Sequence, residues 1–245
     1  MTITIAFSGK GGTGKTTLAT LAIKYFLEKK MTPVLAVDAD PNANLNVGLG
    51  MEFDQTIADI REEVLDKKVP DGEVKNDYIF RRMNEILVEG DDADLLVMGR
   101  PEGQGCYCAV NHLLRDYLKK LSKHYKAIVI DTEAGMEHLS RRTTDDLDVL
   151  FLVANPNSIS IRAAARTQET AQKIKLNIKK INLILNRINS AFPDFIKDMI
   201  DKERLNLIGT IPEDGQLRTA SEENTNFLNL SPSPAVKAMC SILEK

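Results

Sequence analysis

Residues 9–16 read GKGGTGKT, and this run constrains the chain more than any other feature. Gly9, Gly14, Lys15 and Thr16 fill the pattern G-x-x-x-x-G-K-[ST]. Glycines allow backbone N–H groups to turn inward around phosphate oxygens. A helix beginning near Lys15 would aim its positive dipole end at the same anion. The lysine can reach the terminal phosphates and the Thr16 hydroxyl can bind Mg²⁺. Such a loop works between a strand and a helix, and both flanks comply. Thr2–Phe7 is a short apolar run, and Leu18, Leu21, Ala22, Tyr25 and Phe26 repeat at helical spacing. The whole loop, Gly9, Lys10, Gly11, Gly12, Thr13, Gly14, Lys15, Thr16 and Thr17, is therefore the expected phosphate-binding segment.

The same alternation continues along the 245 residues. Further strands are expected at Pro33–Val37, Asp94–Met98, Ala127–Ile130, Val149–Ala154, Ile181–Leu185 and Leu205–Ile211. They lack period-two alternation, which predicts a sheet covered on both faces. Helices are expected over 110–121, from a Ser158 cap to about Lys175, and over 213–222 and 233–244. The prediction is an α/β fold: one domain, 1–245, with a doubly wound, mostly parallel sheet. Residues 55–92, with Pro70, Gly72, Gly90 and many charges, are expected to form helices in an excursion from the core.

Composition removes several classes. Apolar residues are 43% of the chain and the net charge is −3, so disorder is not expected. Acids and bases nearly balance, 35 against 32, which argues against a broad nucleic-acid face. Lys173, Lys175, Lys179 and Lys180 cluster, but read as the solvated end of a helix. The longest apolar run, Val149 to Ala154, is too short for a membrane span, and the start MTITIAFSGKGG does not read as a secretory signal. Three cysteines argue against a disulfide framework, so a cytoplasmic location is expected.

Two aspartates alternate at the end of the second strand, in VDADPNANLN, where ligands of open α/β sheets bind. The fourth strand ends AIVID, an apolar run closing on Asp131, the pattern of a water-mediated Mg²⁺ ligand. Residues 99–108 read GRPEGQGCYC, with Cys106 and Cys108 in a glycine-rich loop before a helix. One C-x-C cannot close a tetrahedral thiolate site, but two copies facing across a two-fold axis can, giving a Cys₄ site for Zn²⁺ or Ni²⁺. Cys240, with Val236, Met239 and Leu243, reads as core.

With its second lysine, Lys10, KGGTGKTT resembles the deviant Walker A motif of the SIMIBI ATPases, the class of the MinD and ParA positioning ATPases and the nitrogenase iron protein. The resemblance implies ATP or ADP bound in a nucleotide-sandwich homodimer, with Lys10 reaching the partner's phosphates. It implies that Asp40 positions or deprotonates water, with Asp38 and Asp40 near the Mg²⁺ shell beside Thr16 and Asp131. It makes Asp131 to Gly135 a second switch, with the Gly135 N–H sensing the γ-phosphate. It assigns adenine to Asn186 in LILNRI and to Pro212 and Glu213 in GTIPEDG. No N-K-x-D guanine signature follows Asn186, so ATP is favoured over GTP.

The loop, the C-x-C and DTEAGMEHL together resemble the nickel-insertion ATPases of carbon monoxide dehydrogenase, the CooC type, and the related AcsF type serving acetyl-CoA synthase. That resemblance implies a client metalloenzyme and ATP-dependent nickel delivery; the balanced charge and the short apolar runs add the expectation of no nucleic-acid and no membrane partner. The alternatives are a Par- or Min-type positioning ATPase and an iron-protein-like electron donor. The donor reading is weakened because no cysteine lies between Asp131 and Arg142, where His138 stands near the expected place.

Overall fold

The computed structural model describes residues 2–66, 68–100, 107–133, 146–173, 177–189 and 192–245, and only the backbone of 107–111 and 146. Seven strands form one parallel sheet: β1 (Ile3–Ser8), β2 (Val34–Ala39), β3 (Ala93–Val97), β4 (Ala127–Thr132), β5 (Asp146–Ala154), β6 (Asn177–Ile188) and β7 (Leu207–Pro212). Their order is β3-β2-β4-β1-β5-β6-β7, which puts β1 at the centre between β4 and β5. The chain winds outward both ways from β1, so the loops at the strands' carboxyl ends converge on one edge.

The strands lack polar alternation because both faces are buried. Ile5 and Phe7 of β1 point into one core with Val129, Phe151 and Val153, covered by α1 (Lys15–Glu28) and α9 (Pro234–Leu243). Ala6 points into the other with Val37, Ile130 and Leu152, beneath α5 (Tyr107–Leu121) and α6 (Ser158–Lys173). The Phe7 and Phe151 rings stack at 5.2 Å between centroids. Burying a side chain such as Phe7 fully contributes about 1.5–3 kcal/mol.

Five expectations change in detail. Asn157, not Ser158, caps α6, because its Oδ1 accepts the Ser160 N–H at 2.9 Å. Lys179 and Lys180 do not end a helix; they lie in β6, and Lys179 pairs with Asp148 at 2.6 Å. Residues 55–92 do form helices, α3 (Ile57–Leu65) and α4 (Lys75–Glu85), but these are no excursion. Ile57, Ile60, Met83 and Ile86 are buried in the main core with Leu96 and Met98, and the charges lie on the outer faces. Of the shorter helices, α2 (Leu45–Leu49), α7 (Asp194–Lys202) and α8 (Gly215–Glu222), the last begins two residues later than expected. Cys240 is only half-buried, at the margin of its core. Among the described residues no helix is long and apolar enough to cross a membrane.

Candidate active site

The loop from Gly9 to Gly14 leaves β1 and enters α1 directly. Gly9, Gly12 and Gly14 have φ of 151°, 77° and 94°, conformations that side chains rarely adopt. A Cβ on Gly9 would stand 2.3 Å from the Val153 carbonyl oxygen of β5. The loop closes on itself where Thr13 donates its N–H (3.3 Å) and hydroxyl (2.8 Å) to the Lys10 carbonyl. Lys15 is 6% exposed at the first turn of α1, whereas Lys10 is exposed to solvent.

Beneath the helix start, the Thr16 hydroxyl donates to Asp131 Oδ2 at 2.5 Å. Asp131 is 1% exposed and its Oδ1 has no hydrogen-bond partner among the described residues. Burial pushes its carboxyl up to about 8, and neighbouring Asp38 adds to the rise. Thr16 and Lys15 act in the opposite direction. Hydroxyl and carboxylate oxygens, one of them orphaned and buried beside a phosphate-binding loop, fit Mg²⁺, which prefers few protein oxygens and keeps water.

Asp38 is opposite Asp131 in the β2–β4 register. It is fully buried, and its two oxygens accept the backbone N–H groups of Asp40 (3.1 Å) and Leu45 (2.8 Å). Its carboxyl is raised to about 6 by burial, against those same hydrogen bonds. Asp38 therefore shapes the turn that carries Asp40. Asp40 is partly exposed, and its Oδ1 accepts from the Asn42 backbone (2.9 Å) and side chain (3.0 Å).

On the other side of the loop, Asn186, Pro212 and Glu213 share a cleft of about 320 Å³ with Gly14 and Thr17. Asn186 Nδ2 donates to the Thr13 carbonyl at 2.8 Å, and its Oδ1 accepts the Arg187 N–H at 2.9 Å. Sequence reasoning missed Arg187, Asp214, Leu217 and Arg218, which also line the cleft. Asp214 Oδ1 caps α8 through the amides of Gln216 (2.9 Å) and Leu217 (3.3 Å), and its Oδ2 accepts the Ala235 N–H of α9 at 3.2 Å. An Asp just before a helix is a readable cap signal. Its second bond, to a helix twenty-one residues on, is not.

Gly135, His138 and Cys106 lie outside the described residues, as does the side chain of Cys108, whose backbone belongs to the first turn of α5. Among the described residues no three His, Cys, Asp or Glu side chains gather as a metal-holding group.

Comparison with known proteins agrees with this geometry. Residues 4–227 match the CobQ/CobB/MinD/ParA nucleotide binding domain. An uncharacterized ATP-binding protein of Methanocaldococcus jannaschii is 42% identical over 98% of this chain and 97% of its own length. The carbon monoxide dehydrogenase accessory protein CooC of Rhodospirillum rubrum is 31% identical over 98% of this chain and 96% of its own. Septum site-determining protein MinD of Pyrococcus horikoshii OT3, solved with Mg-ADP, superposes with a TM-score of 0.71 at 25% identity, covering 100% of this chain and 95% of that one. A ParA family ATPase of Chlorobium tepidum TLS shares the fold, with a TM-score of 0.73 at 23% identity over 99% of this chain and 98% of its own. The chain belongs to the CobQ/CobB/MinD/ParA family of nucleotide-binding P-loop proteins and is similar to CooC along almost its whole length.

Proposed function

We propose that this CobQ/CobB/MinD/ParA family member is a slow, Mg²⁺-dependent ATPase whose nucleotide-linked homodimer promotes nickel insertion into carbon monoxide dehydrogenase or acetyl-CoA synthase. The observation that carries the reading is the near full-length similarity to a carbon monoxide dehydrogenase accessory protein, in a chain that also holds Cys106 and Cys108 in a glycine-rich loop. The metal, Ni²⁺ or Zn²⁺, is cargo held by four thiolates, two from each chain.

The residues divide the work as follows. The turned glycines of the loop present N–H groups to the phosphates, with Lys15 supplying positive charge beside them. Thr16 and Asp131 hold Mg²⁺, which when bound offsets phosphate charge. Asp40 orients the attacking water from a turn fixed by Asp38. Lys10, exposed beside the loop, reaches the phosphates of the facing copy. Asn186, Pro212 and Glu213 take the adenine. Gly135 couples the γ-phosphate to the cysteine loop.

The test is anaerobic Ni²⁺ and Zn²⁺ binding together with solution mass, with no nucleotide, with ADP and with ATP. The expected result is one metal per two chains, lost in Cys106→Ser and Cys108→Ser but kept in Cys240→Ser. Full-strength binding of one metal per monomer, or binding that survives in the double cysteine variant, rejects the reading. A positioning ATPase is the second reading, supported by the superposition with MinD. It predicts ATP-linked dimers without any metal requirement.

A further inference from the structure

Asn186 and Arg187 depart from the geometry of their own strand. Successive side chains of a strand point to opposite faces. Yet both residues line the cleft of about 320 Å³ beside the phosphate loop. A bulge is the cause. From Leu185 to Ile188 β6 advances three residues, while β7 advances two, from Thr210 to Pro212. Within that stretch Arg187 adopts a φ of 59°. Bulges gather beside active sites, where they re-aim a side chain.

An arginine stands there although glycine would take that φ without strain. Four other non-glycine residues have a positive φ among the described residues. Lys30, Arg204 and Asn224 each follow the capping residue at the end of a helix, where this conformation is common. Ala43 lies in the turn after β2. Arg187 is the one that lies within a strand. Strain kept at a cleft points to a use for the side chain. That side chain is exposed, and among the described residues no ion pair or hydrogen bond holds its guanidinium. Its backbone is fixed on both sides. Asn186 is bonded to Thr13 of the phosphate loop, and the Ile188 carbonyl accepts the Glu213 N–H at 3.1 Å. Arg218 lines the same cleft, but from the regular backbone of α8.

We infer that Arg187 lays its guanidinium plane on a face of the nucleotide base and so sets the preference of the cleft for a purine. The inference rests on the assignment of this cleft to adenine. A purine offers two π faces and a polar edge. Asn186 has little left for the edge, since Nδ2 already donates to Thr13 and Oδ1 already accepts from Arg187. Glu213 and Ser221 line the cleft and can meet the edge beside it. Pro212 and Leu217 supply apolar surface for one face. A planar, delocalised cation suits the other, and a two-ring base gives it more area than a pyrimidine.

The test titrates the full chain calorimetrically with ADP, CDP and pyrophosphate, each with Mg²⁺, alongside urea unfolding without ligand. The parent is expected to bind ADP more tightly than CDP or pyrophosphate. Arg187→Gly should keep or raise the urea midpoint, because glycine accepts the φ of 59° without strain. It should nevertheless weaken ADP about tenfold, the loss of one stacked contact, weaken CDP less and leave pyrophosphate unchanged. Arg187→Lys keeps the charge and the strained backbone but has no plane, so ADP should weaken about as much. An arginine serving the fold alone would not yield a variant that is as stable and yet binds the base more weakly. Unchanged ADP affinity in Arg187→Gly, equal losses of ADP and pyrophosphate, or full ADP affinity in Arg187→Lys overturns the inference. In those cases a parent that prefers ADP leaves the adenine assignment standing. A parent that binds pyrophosphate as tightly as ADP removes that assignment, and the inference with it.

Discussion

Asn186 at the end of β6 donates from Nδ2 to the carbonyl of Thr13 in the phosphate loop, 2.8 Å away and 173 residues earlier in the chain. The same carboxamide accepts the N–H of Arg187, whose φ is 59°. Gly14 leaves room for it, since a Cβ there would come within 2.4 Å of Nδ2. The wall of the cleft and the phosphate loop are thus one hydrogen-bonded unit. Whatever sits against Asn186 also sets the position of Thr13.

Replacing Asn186 with Ala should therefore affect the loop as well as the cleft. It leaves the buried Thr13 carbonyl without its donor, at a cost of about 1–3 kcal/mol in stability. It should also weaken ADP binding, because the loop loses a fixed point. Asn186→Asp should be at least as damaging, since a carboxylate cannot donate to that carbonyl. Denaturant unfolding and ADP titration read the two effects separately. A stability loss with unchanged ADP affinity would show that the bond serves the fold alone.

Lys15→Ala and Asp40→Ala separate binding from turnover. Lys15 is buried at the start of α1, at the end of the glycine loop, and if it meets the phosphates its loss should remove ATP binding or turnover. Asp40 is carried on an Asp38-held turn and caps no helix, so Asp40→Ala should keep ATP affinity and lower kcat, by about 10²-fold or more if it orients the water. Unchanged turnover in both variants would remove the hydrolytic role.

These expectations rest on positions that were largely readable before any coordinates. A strand, a glycine loop and a helix are local, and their chemistry is written within eight residues, Gly9 to Thr16. The parallel sheet was legible for a related reason: strands buried on both faces must be continuously apolar, as Val149 to Ala154 is. Residues 55–92 were misjudged because their charges lie outside while Ile57, Ile60, Met83 and Ile86 turn inward at a spacing that Pro70 and Gly72 interrupt. Asp214 was passed over because half its role is contact with Ala235, and no short pattern encodes a bond between separate helices.

Acid should loosen the α3–α4 pair first through Glu63. Arg82 holds it by two bonds, Nε–H (2.9 Å) and Nη2–H (2.7 Å), and Tyr78 donates its hydroxyl at 2.8 Å. The Arg82 hydrogen bonds keep its carboxyl below the ordinary glutamate range, against a smaller opposing effect of burial. A folded-state value below the unfolded one contributes stability above the unfolded pKa, about 4.3, and loses it as pH falls through the folded value. Glu63→Gln should cost about 1–3 kcal/mol at pH 7, as hydrogen bonds to a charged group do. The difference between the variant and the parent should begin to shrink near the unfolded value, about 4.3, and go on shrinking as pH falls through the lower folded value, where the parent's own carboxylate protonates. Urea midpoints from pH 3 to 7 check this, and a constant difference across that range would assign the loss to packing.

Lys10 offers the sharpest test of the dimer. Its backbone is fixed, because its carbonyl accepts both the N–H and the hydroxyl of Thr13, yet its side chain stands in solvent. A lysine serving its own chain's phosphates would be drawn in as Lys15 is. If Lys10 serves the facing copy, Lys10→Ala should keep nucleotide affinity and lose ATP-linked dimerisation and turnover, since closure then lacks its nucleotide-dependent contact. Lys15→Ala fails on its own nucleotide but still presents a normal Lys10. Mixing the two variants should then restore activity at one site of each mixed dimer, where a Lys10→Ala chain holds ATP and its partner supplies Lys10. Titrating one variant against the other while following phosphate release and solution mass reads this directly. No recovery at any ratio, with mixed dimers present, would mean that Lys10 acts within its own chain.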